Sequence, residues 1–171
     1  MNRRYLRTAV GFDIDSTLAD TRHRWHLSPM TDPESNWERY CAARAGDTPI
    51  RGTVAAARAH YLYHQVHLFS GSEDSSGPVT RRWLDRHRVP FDVLRQRPAG
   101  DNSTNAELKI RFIEELRAAG VEMVLYYEDH PDVAAEIEVK TGVPVLVVNP
   151  CYIEDEERFR RGRVDGMGGG L

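Results

Sequence analysis

Two aspartates separated by one residue, Asp13 and Asp15, stand directly behind the apolar run Ala9-Val10-Gly11-Phe12. Carboxylates so close repel each other unless a cation or a shared proton relieves them. A magnesium ion does this with oxygen ligands, combining a few protein carboxylates with water and substrate phosphate. Groups of matching chemistry follow other apolar runs. Ser70-Gly71-Ser72 comes after Val66-His67-Leu68-Phe69, and Glu128-Asp129, with Asp132 just beyond, comes after residues 121–127. Lys109 precedes that last run and supplies a cation. In an open α/β sheet, ligands bind beyond the carboxyl ends of the strands, so these chain-distant groups would converge on one edge. Asp129 would complete a hard oxygen site with the Asp13–Asp15 segment. Ser70 and the backbone amides near it would hold phosphate oxygens, with Thr17 and Gly71 as further substrate contacts. Lys109 would offset the charge shared by Asp13 and the phosphate. The reaction such a set supports is attack of a carboxylate on phosphorus, giving an aspartyl-phosphate that water hydrolyses. Asp15 is then the group to protonate the leaving alkoxide and to deprotonate the attacking water.

The elements that must position these groups alternate along the chain. Strands are expected at residues 7–14, 66–69, 91–94, 121–127 and 144–148, the last of them buried. Helices are expected at residues 53–65, 78–88, 105–119 and 131–141, with Pro78 and Pro131 in first turns and Gly120 as a stop. Alternation at this spacing predicts a mostly parallel sheet covered on both faces, a Rossmann-like α/β three-layer sandwich. Residues 20–48 form an insert after the first strand, partly helical around residues 35–44 and without a sheet element. Its turn signals include Ser28-Pro29 and Asp32-Pro33. Residues 1–150 are expected to form one domain, followed by a charged tail, 151–171, that ends in glycines.

The run Asp13-Ile14-Asp15-Ser16-Thr17-Leu18 resembles the first motif of the haloacid dehalogenase superfamily of phosphohydrolases. Ser70 resembles its second motif, Lys109 its third and Glu128-Asp129 its acidic fourth, in order over residues 10–148. The resemblance is sharper towards the 3′-phosphatase domain of bacteriophage polynucleotide kinase. It lies in Leu18-Ala19-Asp20 with His23-Arg24, in Thr80-Arg81-Arg82-Trp83-Leu84, and in Arg97-Pro98-Ala99-Gly100-Asp101 ahead of Glu107-Leu108-Lys109. This resemblance implies that Asp13 is the nucleophile and Asp15 the acid/base. It implies magnesium held by Asp13, the Asp15 backbone carbonyl and Asp129, with Glu128 orienting Lys109. The implied activity is a phosphatase working on a nucleotide or a nucleic-acid 3′-phosphate end. Three positions depart from the pattern: Ser16 replaces a glycine, Ser72 an arginine, and Glu128 an aspartate. No Gly-x-x-x-x-Gly-Lys-Ser/Thr loop occurs, so no kinase phosphate loop is present in the sequence.

Other residues carry two readings each. His23 and Arg24 are candidate substrate contacts or an exposed polar turn. Arg97 suits bidentate contact with phosphate. Trp25 and Trp37 are expected to pack the insert onto the core rather than stack on a nucleobase. Asp132 serves either a helix start or the metal. His60, His64 and His67 are expected to be structural. A net charge of −3 supplies no basic field for long nucleic acid, leaving phosphorylated small molecules, nucleotides and strand ends. Cys41 and Cys151 make no disulfide framework, and no apolar run approaches the ~20 residues of a membrane span. The start lacks a signal peptide's apolar stretch, so a cytoplasmic location is expected. Competing functions are a small-metabolite phosphatase and a non-catalytic binder of phosphate ligands. A phospho-acceptor signalling module is disfavoured, because its acceptor aspartate follows a middle strand.

Overall fold

Alternation along β1 (Arg7–Asp13) decides which face of the sheet each side chain serves. Val10 and Phe12 turn towards α2 (Arg51–His60) and α3 (Gly77–Arg86), where they pack with Val54, Ala57, Trp83 and Leu84. Ala9 turns the other way, towards Leu108, Phe112 and Ile113 of α4 (Asn105–Ala118) and Ile137 of α5 (Pro131–Thr141). Gly11 shares that second face, and an added Cβ would stand 2.3 Å from a ring carbon of Tyr126. The aromatic ring occupies the space glycine leaves. Asp13, two residues further, belongs to the same face and so meets α4.

The computed structural model describes residues 7–29 and 34–149. The expected tail, Cys151 and the Asp32-Pro33 turn signal lie outside the described residues. Among the described residues the main sheet has five strands in the order β5-β4-β1-β6-β7, all neighbours parallel. They are β4 (Gln65–Glu73), β5 (Val93–Arg97), β6 (Val121–Glu128) and β7 (Val145–Val147) around β1. The chain builds outward from β1 to one side, then returns to β6 on the other, so the crevice at the carboxyl end of β1 is a topological switch point. Helices on both faces make the three-layer α/β sandwich that the alternating pattern predicts.

Four expectations need correction. The insert does contain a sheet element: β2 (Ala19–Asp20) pairs antiparallel with β3 (Thr48–Pro49) and clasps its two ends. Two-residue ladders are too short to show a period. Between them run a 3-10 turn (Arg22–Leu27), α1 (Trp37–Ala42) and a second 3-10 turn (Ala43–Gly46). The last strand is not buried: among the described residues β7 pairs with β6 alone, and Leu146 is 48% exposed. Strand β5 starts two residues later than its apolar run and ends in Arg95-Gln96-Arg97, because this edge tolerates polar side chains. Helix α2 begins at Arg51 and stops at His60 in a turn whose Leu62 and Tyr63 are exposed.

Candidate active site

Pleating brings the acids onto one face. Glu128 lies two residues beyond Tyr126, whose ring packs under α4, so its carboxylate also turns to α4. Helix α4 starts with Thr104 as cap, its hydroxyl accepting from the Glu107 amide while the Glu107 carboxylate accepts from the Thr104 amide. This capping box fixes the first turn and with it the direction of Lys109. Lys109 is buried and reaches between the sheet's two acids: its Nζ lies 2.7 Å from Asp13 Oδ1 and 2.7 Å from Glu128 Oε2. Glu128 Oε1 accepts the His130 amide at 3.3 Å. Asp13, Glu128 and Asp129 offer oxygens all within 4.8 Å of one another.

One ammonium cannot balance three carboxylates. Burial pushes the Asp13 carboxyl up to about 8, helped by Glu128 and Asp15 and opposed by Lys109. Burial likewise raises Asp129 well above the carboxylate range, with Asp13 and Glu128 adding to the effect. Burial alone would lower Lys109, but Asp13 and Glu128 hold it charged. A set of buried oxygen donors with surplus negative charge fits a hard divalent cation such as magnesium.

Asp15 has the opposite environment. Burial would raise its carboxyl, but Arg44 and Arg24 outweigh that and hold it at about 2. Arg44 Nη2 donates to both oxygens of Asp15 at 2.9 and 2.7 Å and to Ser72 Oγ at 2.8 Å, while Nη1 donates to Thr80 Oγ1 at 2.7 Å. Arg24 Nη2 donates to Asp15 Oδ1 at 2.6 Å, and its Nε and Nη2 grip Asp47 at 2.8 Å each. Both arginines are fully buried. The insert therefore holds Asp15 through two guanidinium groups.

The cleft above these groups measures about 1140 Å³ and is lined by Asp13, Asp15, Lys109, Glu128, Asp129, Gly71 and Arg97, among others. Several expected substrate contacts sit elsewhere. Arg24 is behind Asp15, not in the cleft. His23 bonds Asp47 at 2.8 Å through Nε2 and lies outside the cleft lining, so the insert's fold claims both residues. Thr17 is fully buried, with a long 3.5 Å bond to Asp129 Oδ1. Ser70 is fully buried too, its hydroxyl accepting the Ser72 amide at 3.1 Å. Arg97 lines the cleft, yet its donors go to Gly71 O (2.8 Å), Ser103 O (2.6 Å) and Asn105 Oδ1 (2.8 Å). Gly71 is a site of close approach: a Cβ there would stand 2.4 Å from Asn105 Oδ1. Asp132 is exposed in the first turn of α5, apart from the acidic cluster. Trp25 packs as expected, buried with its indole N–H on Thr21 Oγ1 at 3.0 Å, whereas Trp37 is 52% exposed. His60 bonds the Tyr127 hydroxyl at 3.0 Å, a structural role.

Sequence reasoning missed Arg44, Asp47, Asn105 and Asn149. The small neighbours Ala42, Ala43, Ala45 and Gly46 were the available hint that a long side chain at Arg44 runs into a tight interface. Asn149 Nδ2 donates to Ser16 O at 3.0 Å and ties the chain beyond β7 to the loop that follows β1. Ser16, in the glycine position, adopts a left-handed φ of 60°, and its hydroxyl contacts Thr21 Oγ1 at 2.9 Å.

The fold is similar to that of a dehalogenase and of a haloacid dehalogenase superfamily hydrolase, and this chain places an acidic cluster and a lysine at the carboxyl edge of its sheet. A chain of the Pnkp1/Rnl/Hen1 RNA repair complex superposes with a TM-score of 0.69 at 19% identity, covering 86% of this chain and 44% of that one. The present chain thus spans less than half the length of that protein. A dehalogenase matches at TM-score 0.55 and 13% identity over 86% and 87% of the two chains. A hydrolase of the superfamily from Geobacter sulfurreducens matches at 0.52 and 14% over 83% and 87%. No family model matches the sequence, and no curated protein does. No described helix is long and apolar enough to cross a membrane.

Proposed function

We propose that the protein is a magnesium-dependent phosphomonoesterase that forms an aspartyl-phosphate on Asp13, acting on a nucleotide or a nucleic-acid 3′-phosphate end. The observation that carries this reading is the placement of Lys109 Nζ 2.7 Å from both Asp13 and Glu128, with Asp129 beside them, on the cleft floor. Asp13, Asp129 and the Asp15 backbone would hold the metal, which supplies charge stabilisation to the phosphoryl oxygens when bound. Lys109 engages Asp13 Oδ1, leaving Oδ2 to attack phosphorus as the bond to the leaving oxygen breaks. Asp15, ionised in the free protein, suits the second half of the cycle, taking a proton from the water that attacks the acyl phosphate. For the first half a proton must arrive with the substrate, and a phosphate monoanion brings one. Likeness to a chain of an RNA repair complex supports a nucleic-acid end over a small metabolite.

The test is phosphate release from an aryl phosphate, 3′- and 5′-nucleoside monophosphates and 3′-phosphorylated oligonucleotides, with magnesium or chelator. Magnesium-dependent release, greatest for the 3′-phosphorylated strands, is the expected result. Release that survives chelation would remove the metal from the reaction.

A further inference from the structure

Trp37, the first residue of α1, lines the cleft while 52% exposed. An indole left half in water adds little to the core, yet its position is fixed from beneath. Asp15 accepts Arg24 at 2.6 Å, the Arg24 guanidinium lies 4.1 Å above the Tyr40 ring, and that ring meets Trp37 at 5.6 Å with planes 87° apart. This chain of contacts sets the indole relative to the carboxylate that handles the proton. On α3, the same cleft is lined by Arg82, exposed and without an ion pair or hydrogen bond among the described residues. The other cations of the cleft are committed, Lys109 to two acids and Arg97 to backbone and Asn105. At about 1140 Å³ the cleft exceeds the ~300–1,000 Å³ of pockets that enclose a drug-sized ligand, so it has room beyond a reacting phosphate.

We infer that this wall is a nucleotide subsite, in which a nucleobase stacks on Trp37 and a second phosphate meets Arg82. The inference rests on the phosphatase reading of Asp13 and narrows its substrate to a nucleoside phosphate that carries another phosphate, free or in a phosphodiester. A small sugar phosphate would leave both residues unused. Stacking accepts any base, so little base preference accompanies it.

Two sources share this chemistry, a nucleoside bisphosphate and a strand end, and one experiment separates them. Phosphate release is measured for glycerol 2-phosphate, a nucleoside 3′-monophosphate, a nucleoside 3′,5′-bisphosphate and a 3′-phosphorylated trinucleotide, using the native protein, Trp37→Ala and Arg82→Ala. Trp37→Ala lowers kcat/KM for the nucleotides about 5- to 150-fold, mainly through KM, and leaves glycerol 2-phosphate unchanged. Arg82→Ala acts only where a second phosphate is present, and reduces the slope of log(kcat/KM) against log salt by about 0.7. A trinucleotide preferred over the bisphosphate assigns the subsite to strand ends; the reverse assigns it to mononucleotides. Equal losses on glycerol 2-phosphate, or none on nucleotides, overturn the subsite. Calorimetric titration of the bisphosphate into Asp13→Asn protein, with and without Trp37→Ala, reads the subsite without turnover, and equal binding by the two would also overturn it. If no substrate releases phosphate, the phosphatase reading falls while this titration still decides the subsite. Normal turnover with an indifferent Trp37→Ala sinks the subsite alone.

Discussion

Lys109 divides one positive charge between Asp13 and Glu128, whereas Asp15 receives two guanidinium groups to itself. Neighbouring carboxylates with opposite shifts are the usual mark of divided acid and base work. On the proposed mechanism, replacing Asp13 by asparagine removes the attacking oxygen but keeps the shape, so Asp13→Asn should lower turnover by at least about 10³-fold. Its melting temperature should equal or exceed the native value, because a buried, under-neutralised carboxylate is lost; a melt beside the activity assay checks both. Arg44→Ala addresses the other carboxylate. Asp15 is depressed to about 2 from an ordinary 3.8, so its pairing stabilises the fold above the unfolded value and fades as pH falls towards 2. The variant should lose about 2–3 kcal/mol at pH 7, less than a fully buried pair because Asp15 keeps an edge to the cleft. Denaturant titrations should show that difference shrinking between pH 4 and pH 2, and a constant difference would mean Arg44 acts by packing alone.

At the scale of elements, α4 does more than cover the sheet, since its first turn carries Asn105 and its second Lys109. Thr104→Ala breaks the capping box and should cost about 1 kcal/mol, or roughly 2–4 °C in melting temperature. Gly71→Ala drives a Cβ against Asn105 Oδ1, which holds Arg97, so it should impair turnover more than stability. Activity and a thermal melt on both variants separate these effects, and normal turnover in Gly71→Ala would show that Asn105 and Arg97 move without consequence. The legibility of the site follows the same division. Asp13, Glu128-Asp129 and Lys109 were readable because each sits at a fixed place on a strand or helix whose apolar period shows in the sequence. Arg24 was read as a substrate contact because its partner Asp47 lies 23 residues away in a segment with no period. Arg44 escaped notice for the same reason, while Ser70 stands where its strand ends, buried with its hydroxyl accepting the Ser72 amide. Strands β5 and β7, each paired on one side among the described residues, blurred because one-sided pairing relaxes the demand for apolar residues.

Over the whole molecule, charge at the switch point sets a condition on folding as well as on the proposed reaction. The cleft floor gathers Asp13, Glu128 and Asp129 around one lysine, and burial raises the Asp13 and Asp129 carboxyls despite it, favouring their protons. A divalent ion bound there replaces those protons and binds the folded chain alone, because the three acids come from two strand ends that meet only in the sheet. At 100 times its dissociation constant the ion should therefore add about 2.7 kcal/mol of stability, roughly 5–10 °C in melting temperature. Chelator should reverse the rise. Asp129→Asn should abolish most of it while leaving the Lys109 contacts with Asp13 and Glu128 in place. The gain should also weaken as pH falls below about 8, since the ion must then displace the proton from Asp13. Calorimetric melts with and without magnesium, at two pH values, read all three effects together. An unchanged melting temperature would mean that Lys109 and bound protons alone satisfy these acids. The phosphoryl group would then have to bring the neutralising ion with it, and magnesium dependence would appear in substrate binding instead of in stability.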